Sequence, residues 1–224
     1  MLTGQQSFLQ GIMPSTAAST QFLLDNLDGA DSTTLIADGY TATSGTGHTW
    51  ARPSAGDTAG ADYTFTGGRV WVSTGSATDI VASIVPASAD YTVEGSLYVK
   101  GLSTLSTNAI GIGCRASTTE RTSYQLIFVS SASNSFAGSW RLRRLNAGAG
   151  TTLADSGAVT LTVTDTHALK LSCAGTTISA WVDGVLIGSV TDATISAVGR
   201  VAIVGGYVTS ATAGNHLASI EAYY

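Results

Sequence analysis

The dipeptide Asp183-Gly184, set directly between Val182 and Val185, constrains this chain more than any other feature. A two-residue type I′ turn needs positive φ at both central positions, which Asp and Gly tolerate, so the pair predicts a tight β-hairpin. With that loop, Val182 faces Val185, Trp181 faces Leu186 and Ala180 faces Ile187. The surrounding stretch from Val159 to Val204 reads as one strand after another: VTLTV, ALKLSCA, TISAWV, VLIGSV and RVAIV. Val159, Leu161 and Val163 alternate with Thr160 and Thr162, and Leu169, Leu171 and Cys173 alternate with Lys170 and Ser172. A period of two is the mark of half-buried strands.

The pattern extends upstream. Tyr63–Phe65 and Arg69–Val72 flank Gly67-Gly68 as a second hairpin, and Ile80–Val85 is an apolar run closed by Pro86. Tyr91–Lys100, Ala109–Arg115, Ser123–Val129 and Ser139–Leu145 then follow as a series of strands. Turn-rich segments separate them, and Asn146–Gly150 reads as one of these. The closing LASIEAYY sets Ala218, Ile220 and Ala222 against Leu217, Ser219 and Glu221. No fixed-period repeat and no long helix interrupts the series. So many short strands in 224 residues predict an all-β, two-sheet antiparallel sandwich over residues 22–224.

Residues 1–21 differ in character. Leu2, Phe8, Leu9, Ile12 and Met13 make an uncharged apolar arm, stopped by Pro14 and followed by a Ser/Thr/Ala linker. Such an arm either covers its own domain's sheet or docks on a neighbouring subunit, and the second is the expectation here.

Composition narrows the function. Charged residues are 11 %, against ~25 % in ordinary soluble domains, and hydroxyl and small residues take their place. Such a lightly charged surface suits packing against other subunits, and it is equally a habit of extracellular β-proteins. The net charge of −5 argues against a nucleic-acid groove. No apolar run approaches the ~20 residues of a membrane-spanning helix. The first residues lack a basic region and a long apolar core, so no secretory signal is expected. Cys114 and Cys173 each end an apolar alternation. They are expected to be two buried free thiols, with a disulfide between neighbouring strands as the alternative.

Catalytic chemistry is hard to place. The only glutamates are Glu94, Glu120 and Glu221, and none has the strand spacing of the paired carboxylates that glycoside hydrolysis needs. His48, His167 and His216 lie in separate turn-like segments and are expected to be solvent-exposed or packed in turns, without metal-ligand spacing. Asp25, Asp28 and Asp31 lack the calcium-loop pattern and read as turn caps. Gly111-x-Gly113 and Asn146–Gly150 precede no helix, so neither cradles a phosphate. The expectation is no enzyme, no cofactor and no metal.

Two sets of residues remain. On a strand, Arg141 and Arg143 share a face with Leu145, while Arg144 joins Trp140 and Leu142; Arg115 and Arg121 sit at the ends of earlier strands. The arginines are either a solvated face with local carboxylate partners or a basic stripe that docks an acidic subunit. Trp71 and Trp181 are either core residues or glycan-stacking platforms.

From Asp25 onward the chain resembles the concanavalin A-like (laminin-G-like) jelly rolls. The resemblance rests on Asp25, Leu27, Asp31, Thr33 and Leu35 with Gly47 and Trp50, on the strand Ala89–Val99, and on WVDGVLIGSVTD followed by GRVAIV. Leu27 stands where many relatives carry an aromatic residue. Domains that open in this way resemble structural proteins of tailed bacteriophages. The resemblance implies a non-enzymatic virion component (head decoration, fibre or tail), made in the host cytoplasm, held in a homo-oligomer and contacting other virion proteins. In that setting Leu2, Phe8, Leu9, Ile12, Met13, Arg141 and Arg143 are the candidate assembly contacts. The alternative is a carbohydrate-binding module for a host-surface glycan, with Trp71 and Trp181 stacking on sugar.

Overall fold

A computed structural model describes residues 19–42, 47–55, 62–73, 78–101, 109–131, 134–206 and 210–224. The apolar arm residues Leu2, Phe8, Leu9, Ile12 and Met13 lie outside the described residues. The strands are β1 (Gln21–Asp25), β2 (Trp50–Ala51), β3 (Tyr63–Phe65), β4 (Val70–Val72), β5 (Thr78–Ala82), β6 (Tyr91–Gly101), β7 (Ala109–Ala116) and β8 (Ser123–Ser131). They continue as β9 (Asn134–Asn146), β10 (Ala149–Asp155), β11 (Val159–Thr160), β12 (Thr166–Ala174), β13 (Thr177–Val182), β14 (Val185–Thr191), β15 (Arg200–Gly206) and β16 (Gly214–Tyr223). Among the described residues there is no helix.

Two antiparallel sheets face each other. One runs β14-β13-β12-β6-β16-β4-β3, with β1 also paired to β16; the other runs β10-β9-β8-β7-β15-β5-β2, with β11 also paired to β9. Their inward faces supply one core that includes Tyr63, Phe65, Leu97, Ile112, Tyr124 and Phe128. This is the all-β sandwich that the strand series predicts.

The Asp-Gly hairpin forms, with φ of 51° at Asp183 and 77° at Gly184. Val182 pairs with Val185 and Trp181 with Leu186, but a bulge between Ala180 and Trp181 sets Ala180 opposite Gly188 rather than Ile187. A bulge inserts one residue and slips every pair beyond it. The predicted strand Val159–Val163 stops at Thr160, because Thr164 turns the chain at φ 75° and leaves Val163 exposed. The supposed loop Asn146–Gly150 is a tight turn at Ala147-Gly148, with φ of 47° and 84°, and it opens β10. That strand, AGTTLAD, has too few large apolar residues for alternation to reveal it.

Cys114 of β7 and Cys173 of β12 are not free thiols. They are joined as a disulfide that crosses the core from one sheet to the other. Both alternations point inward from facing sheets, which brings the two sulfurs together and excludes a bridge between neighbouring strands.

The motif around Asp25 folds into a buried lock. Its carboxylate is fully buried. Oδ1 accepts from the Leu27 amide at 2.8 Å and the Tyr40 hydroxyl at 2.8 Å, and Oδ2 accepts from the Trp50 indole at 2.8 Å. His48 Nε2 stands 3.5 Å away. Leu27 adopts φ 50° to make this turn. Asp25 thus caps its own turn as expected, whereas Asp31 accepts from the Gly67 amide of the distant β3–β4 turn at 2.7 Å.

Candidate functional site

Along β8, Tyr124, Leu126 and Phe128 point into the core, so Ser123, Gln125, Ile127 and Val129 point away from it. The pairing register aligns Thr152, Arg143, Gln125, Gly113, Ala202 and Val81 across six strands. The next row on the same face is Asp155, Arg141, Ile127, Gly111, Val204 and Asp79. These residues face away from the core, yet Gln125 is 1 % exposed, Ile127 0 %, Asp79 2 % and Val204 4 %. Ile127, Ala202, Val204 and Val81 form a second apolar cluster separate from the core. The face is therefore recessed.

Glycine helps to make it so. A Cβ on Gly111 would sit 2.0 Å from the Leu126 carbonyl oxygen and 2.9 Å from Ile127 Cα, so β7 and β8 approach here more closely than a side chain allows. The result is a groove of about 480 Å³, floored by Ile127 and Val204, lined by Asp79, Gln125, Arg141 and Arg143, and walled by the β9–β10 hairpin.

Its polar groups are ordered. Gln125 Nε2 donates to Asp79 Oδ2 at 2.8 Å and to Ser123 Oγ at 2.9 Å. A carboxylate only accepts, so the amide nitrogen must face Asp79. Oε1 is then left buried with no hydrogen-bond partner among the described residues. Arg121 Nη2 lies 4.0 Å from Asp79 Oδ1. Arg141 is held by Asp155 at 2.9 Å and Ser139 at 3.1 Å. Arg143 is half-buried. Burial pulls its pKa below the usual guanidinium value, the Asp79 charge opposes that, and the like charges of Arg121 and Arg141 add to it.

Arg144 does not belong to this face. It projects to the other side with Trp140 and Leu142, and its guanidinium binds Asp192 at 2.5 Å and Thr194 at 2.8 Å. Arg115 is 3 % exposed and knots the end of the sandwich. It donates to the carbonyls of Ala89, Ile195 and Gly175 and to Asp90. The arginines are thus divided between structure and groove rather than spread on an open stripe.

Trp71 and Trp181 are neither core nor paired with each other. Both stand half-buried on the outward face of the other sheet. They lie on β4 and β13 with β16, β6 and β12 between them, which at ~4.8 Å per strand separates them by roughly 19 Å or more. Trp71 donates to Thr66 Oγ1 at 3.1 Å. Trp181 borders a shallow depression with Lys170 and Glu94.

The carboxylates that lie far apart in the sequence do meet here. Glu94 of β6 is directly opposite Glu221 of β16, a pairing that linear spacing cannot show. Each already has a partner: Lys170 lies 3.0 Å from Glu94, and Gln21 donates to Glu221 at 2.7 Å. The histidines are more enclosed than expected. His48 is 3 % and His216 1 % exposed, and His167 Nδ1 lies 2.8 Å from Asp183. Burial lowers the pKa of His216 to about 4, against the hydrogen bond to the Ser210 carbonyl. Among the described residues no cluster of three His, Cys, Asp or Glu could hold a metal ion.

Asp79 and Gln125, the polar centre of the groove, are not evident from the sequence. The available signal is a lone polar residue inside an apolar strand, in TDIVA and in SYQLIFV.

No protein-family model matches the sequence, and no curated protein matches it. Among solved structures the chain is similar to the CBM2 module of the evolved Dit of Lactobacillus casei BL23 phage J-1, at 11 % identity over 92 % of this chain and 96 % of that one, with a TM-score of 0.58. It is similar to the carbohydrate-binding module CBM66 from Bacillus subtilis, at 14 % identity over 78 % and 91 %, with a TM-score of 0.54. It is also similar to a carbohydrate esterase from the Shiga toxin-encoding bacteriophage phi24B, at 12 % identity over 92 % and 98 %, with a TM-score of 0.53. At these identities the likeness is one of fold, and the fold is an antiparallel two-sheet jelly-roll sandwich.

Proposed function

We propose that this chain is a non-catalytic saccharide-binding sandwich of the concanavalin A-like type, serving as an adhesion component of a tailed-phage virion. The observation that carries the reading is the groove on the outward face of β8 and β9. There, the buried and unpartnered Gln125 Oε1 and the half-buried Arg143 guanidinium stand beside an apolar floor. A sugar offers an apolar C–H face and a rim of hydroxyls. A recessed site that combines Ile127 and Val204 with Gln125, Asp79 and Arg143 matches both.

Two of the similar structures are carbohydrate-binding or Dit modules by name, and one of them comes from a phage, which supports both halves of the proposal. The esterase likeness raises catalysis as a rival. Against ester hydrolysis, the sequence carries no G-x-S-x-G elbow for a serine nucleophile; against glycoside hydrolysis, Glu94 and Glu221 are held by Lys170 and Gln21. In the virion setting the sandwich contacts other virion proteins as a homo-oligomer, and the apolar arm is its proposed tether to a neighbour.

A glycan panel assayed for both retention and turnover tests the proposal. The expected result is retention of at least one saccharide with no product formed. Turnover that disappears in Glu94→Gln would replace the proposal with an enzyme, and retention of no glycan would remove it.

A further inference from the structure

Ion pairing singles out one cation in the groove. Arg141 is paired with Asp155 at 2.9 Å, and Arg121 stands 4.0 Å from Asp79. Elsewhere Arg115, Arg144 and Lys170 have Asp90, Asp192 and Glu94. The Arg143 guanidinium makes no hydrogen bond or ion pair among the described residues, although it is half-buried. Asp79 already receives Gln125 on one oxygen and faces Arg121 with the other. Three arginines against Asp79 and Asp155 leave the groove with one positive charge in excess.

The backbone is shaped around that charge. A Cβ at Gly150 of β10 would lie 2.1 Å from Arg143 Nη2 and 2.6 Å from Cζ. Glycine at this position therefore leaves the space that the guanidinium occupies. A half-buried guanidinium with no ion-pair partner among the described residues, beside an unpartnered Gln125 Oε1, asks for a ligand with an oxyanion to accept from the fork and a hydroxyl to donate to the amide oxygen.

We infer that the groove selects a saccharide bearing an anionic group, with Arg143 binding the oxyanion and Gln125 an adjacent hydroxyl. The inference rests on the saccharide-binding reading of this groove and adds the ligand class. General electrostatics works the other way. The chain carries a net charge of −5 and repels anions at long range, so a preference for acidic sugars must arise locally.

The test is calorimetric titration with matched pairs: sialyllactose against lactose, oligogalacturonate against its methyl ester, and mannose 6-phosphate against mannose. The pairs separate carboxylate from phosphate as the source of charge. The expected result is that the acidic member of at least one pair binds at least about tenfold more tightly, the scale of a charge-assisted hydrogen bond. That preference should vanish in Arg143→Gln. Gly150→Ala is the second variant: it keeps the charge but displaces the guanidinium, a flexible side-chain end, so the thermal transition stays while the preference is lost. A neutral sugar bound as tightly as its acidic partner, or a preference untouched by both variants, would overturn the inference and leave saccharide binding standing. Binding of neither member of any pair, with no other glycan retained, would overturn both.

Discussion

Asp25→Ala is expected to lower the folding free energy by about 3–5 kcal/mol, the cost of removing one member of a buried, hydrogen-bonded charge cluster. The substitution orphans the Trp50 indole N–H and the Leu27 amide at once and leaves the Tyr40 hydroxyl with Asp28 alone. It also frees Leu27 from the turn that holds it at φ 50°. Burial works against the Asp25 charge, but the hydrogen bonds from His48, Trp50, Leu27 and Tyr40 outweigh it and hold the pKa below the ordinary carboxylate value. A depressed folded pKa means the stabilisation is full above the unfolded value of about 3.9 and is lost as pH falls through the lower folded value. Urea unfolding midpoints from pH 7 down to pH 2 read both effects. A wild-type midpoint that is flat through this acid range, or an Asp25→Ala loss below about 1 kcal/mol, would show that the carboxylate does not hold the turn.

Arg115→Met should cost a comparable amount, about 3–5 kcal/mol, because three carbonyls each lose a charged donor worth roughly 1.5–3 kcal/mol, offset in part by new apolar packing. The side chain is 2 % exposed, and its guanidinium satisfies the carbonyls of Ala89, Ile195 and Gly175 as well as Asp90. Methionine fills the same volume but donates nothing, so three carbonyls from different segments lose their partner. Because Gly175 precedes β13 and Ile195 follows β14, at the open end of the hairpin where Thr177 pairs with Thr191, the loss should appear first as faster amide exchange in residues 192–199. Unchanged exchange there, with a stability loss under about 1 kcal/mol, would contradict the role assigned to Arg115.

The two effects bear on how far a sequence of this kind can be read. The Asp183-Gly184 hairpin was legible because the turn chemistry is local. So was the Asp25, Leu27, Trp50 motif, although its sequence signature does not reveal that the aspartate is buried and the indole is its donor. The groove is a different matter. Asp79, Gln125, Arg143 and Val204 come from β5, β8, β9 and β15, and only the strand order β9-β8-β7-β15-β5 puts them on one face. Alternation says which way a side chain points, not what lies across from it. The same blindness hid the disulfide between facing sheets and the opposition of Glu94 and Glu221. A bulge accounts for the mispairing of Ala180, which stands opposite Gly188, because it moves the register by one residue with no mark in composition. Arg141 and Arg143 were correctly set on one face with Leu145, yet their environments differ because Asp155 belongs to a strand whose small residues hid it.

Saccharide is expected to bind in the groove between β5 and β9, not on the tryptophan-bearing face of the other sheet. Amide chemical-shift mapping of the whole chain, titrated with whichever panel saccharide is retained, tests this directly. The largest shifts are expected on Asp79, Gln125, Ile127, Arg143 and Val204, with Lys170 and Trp181 unmoved. Shifts concentrated on Glu94, Lys170 and Trp181, with the groove silent, would contradict it.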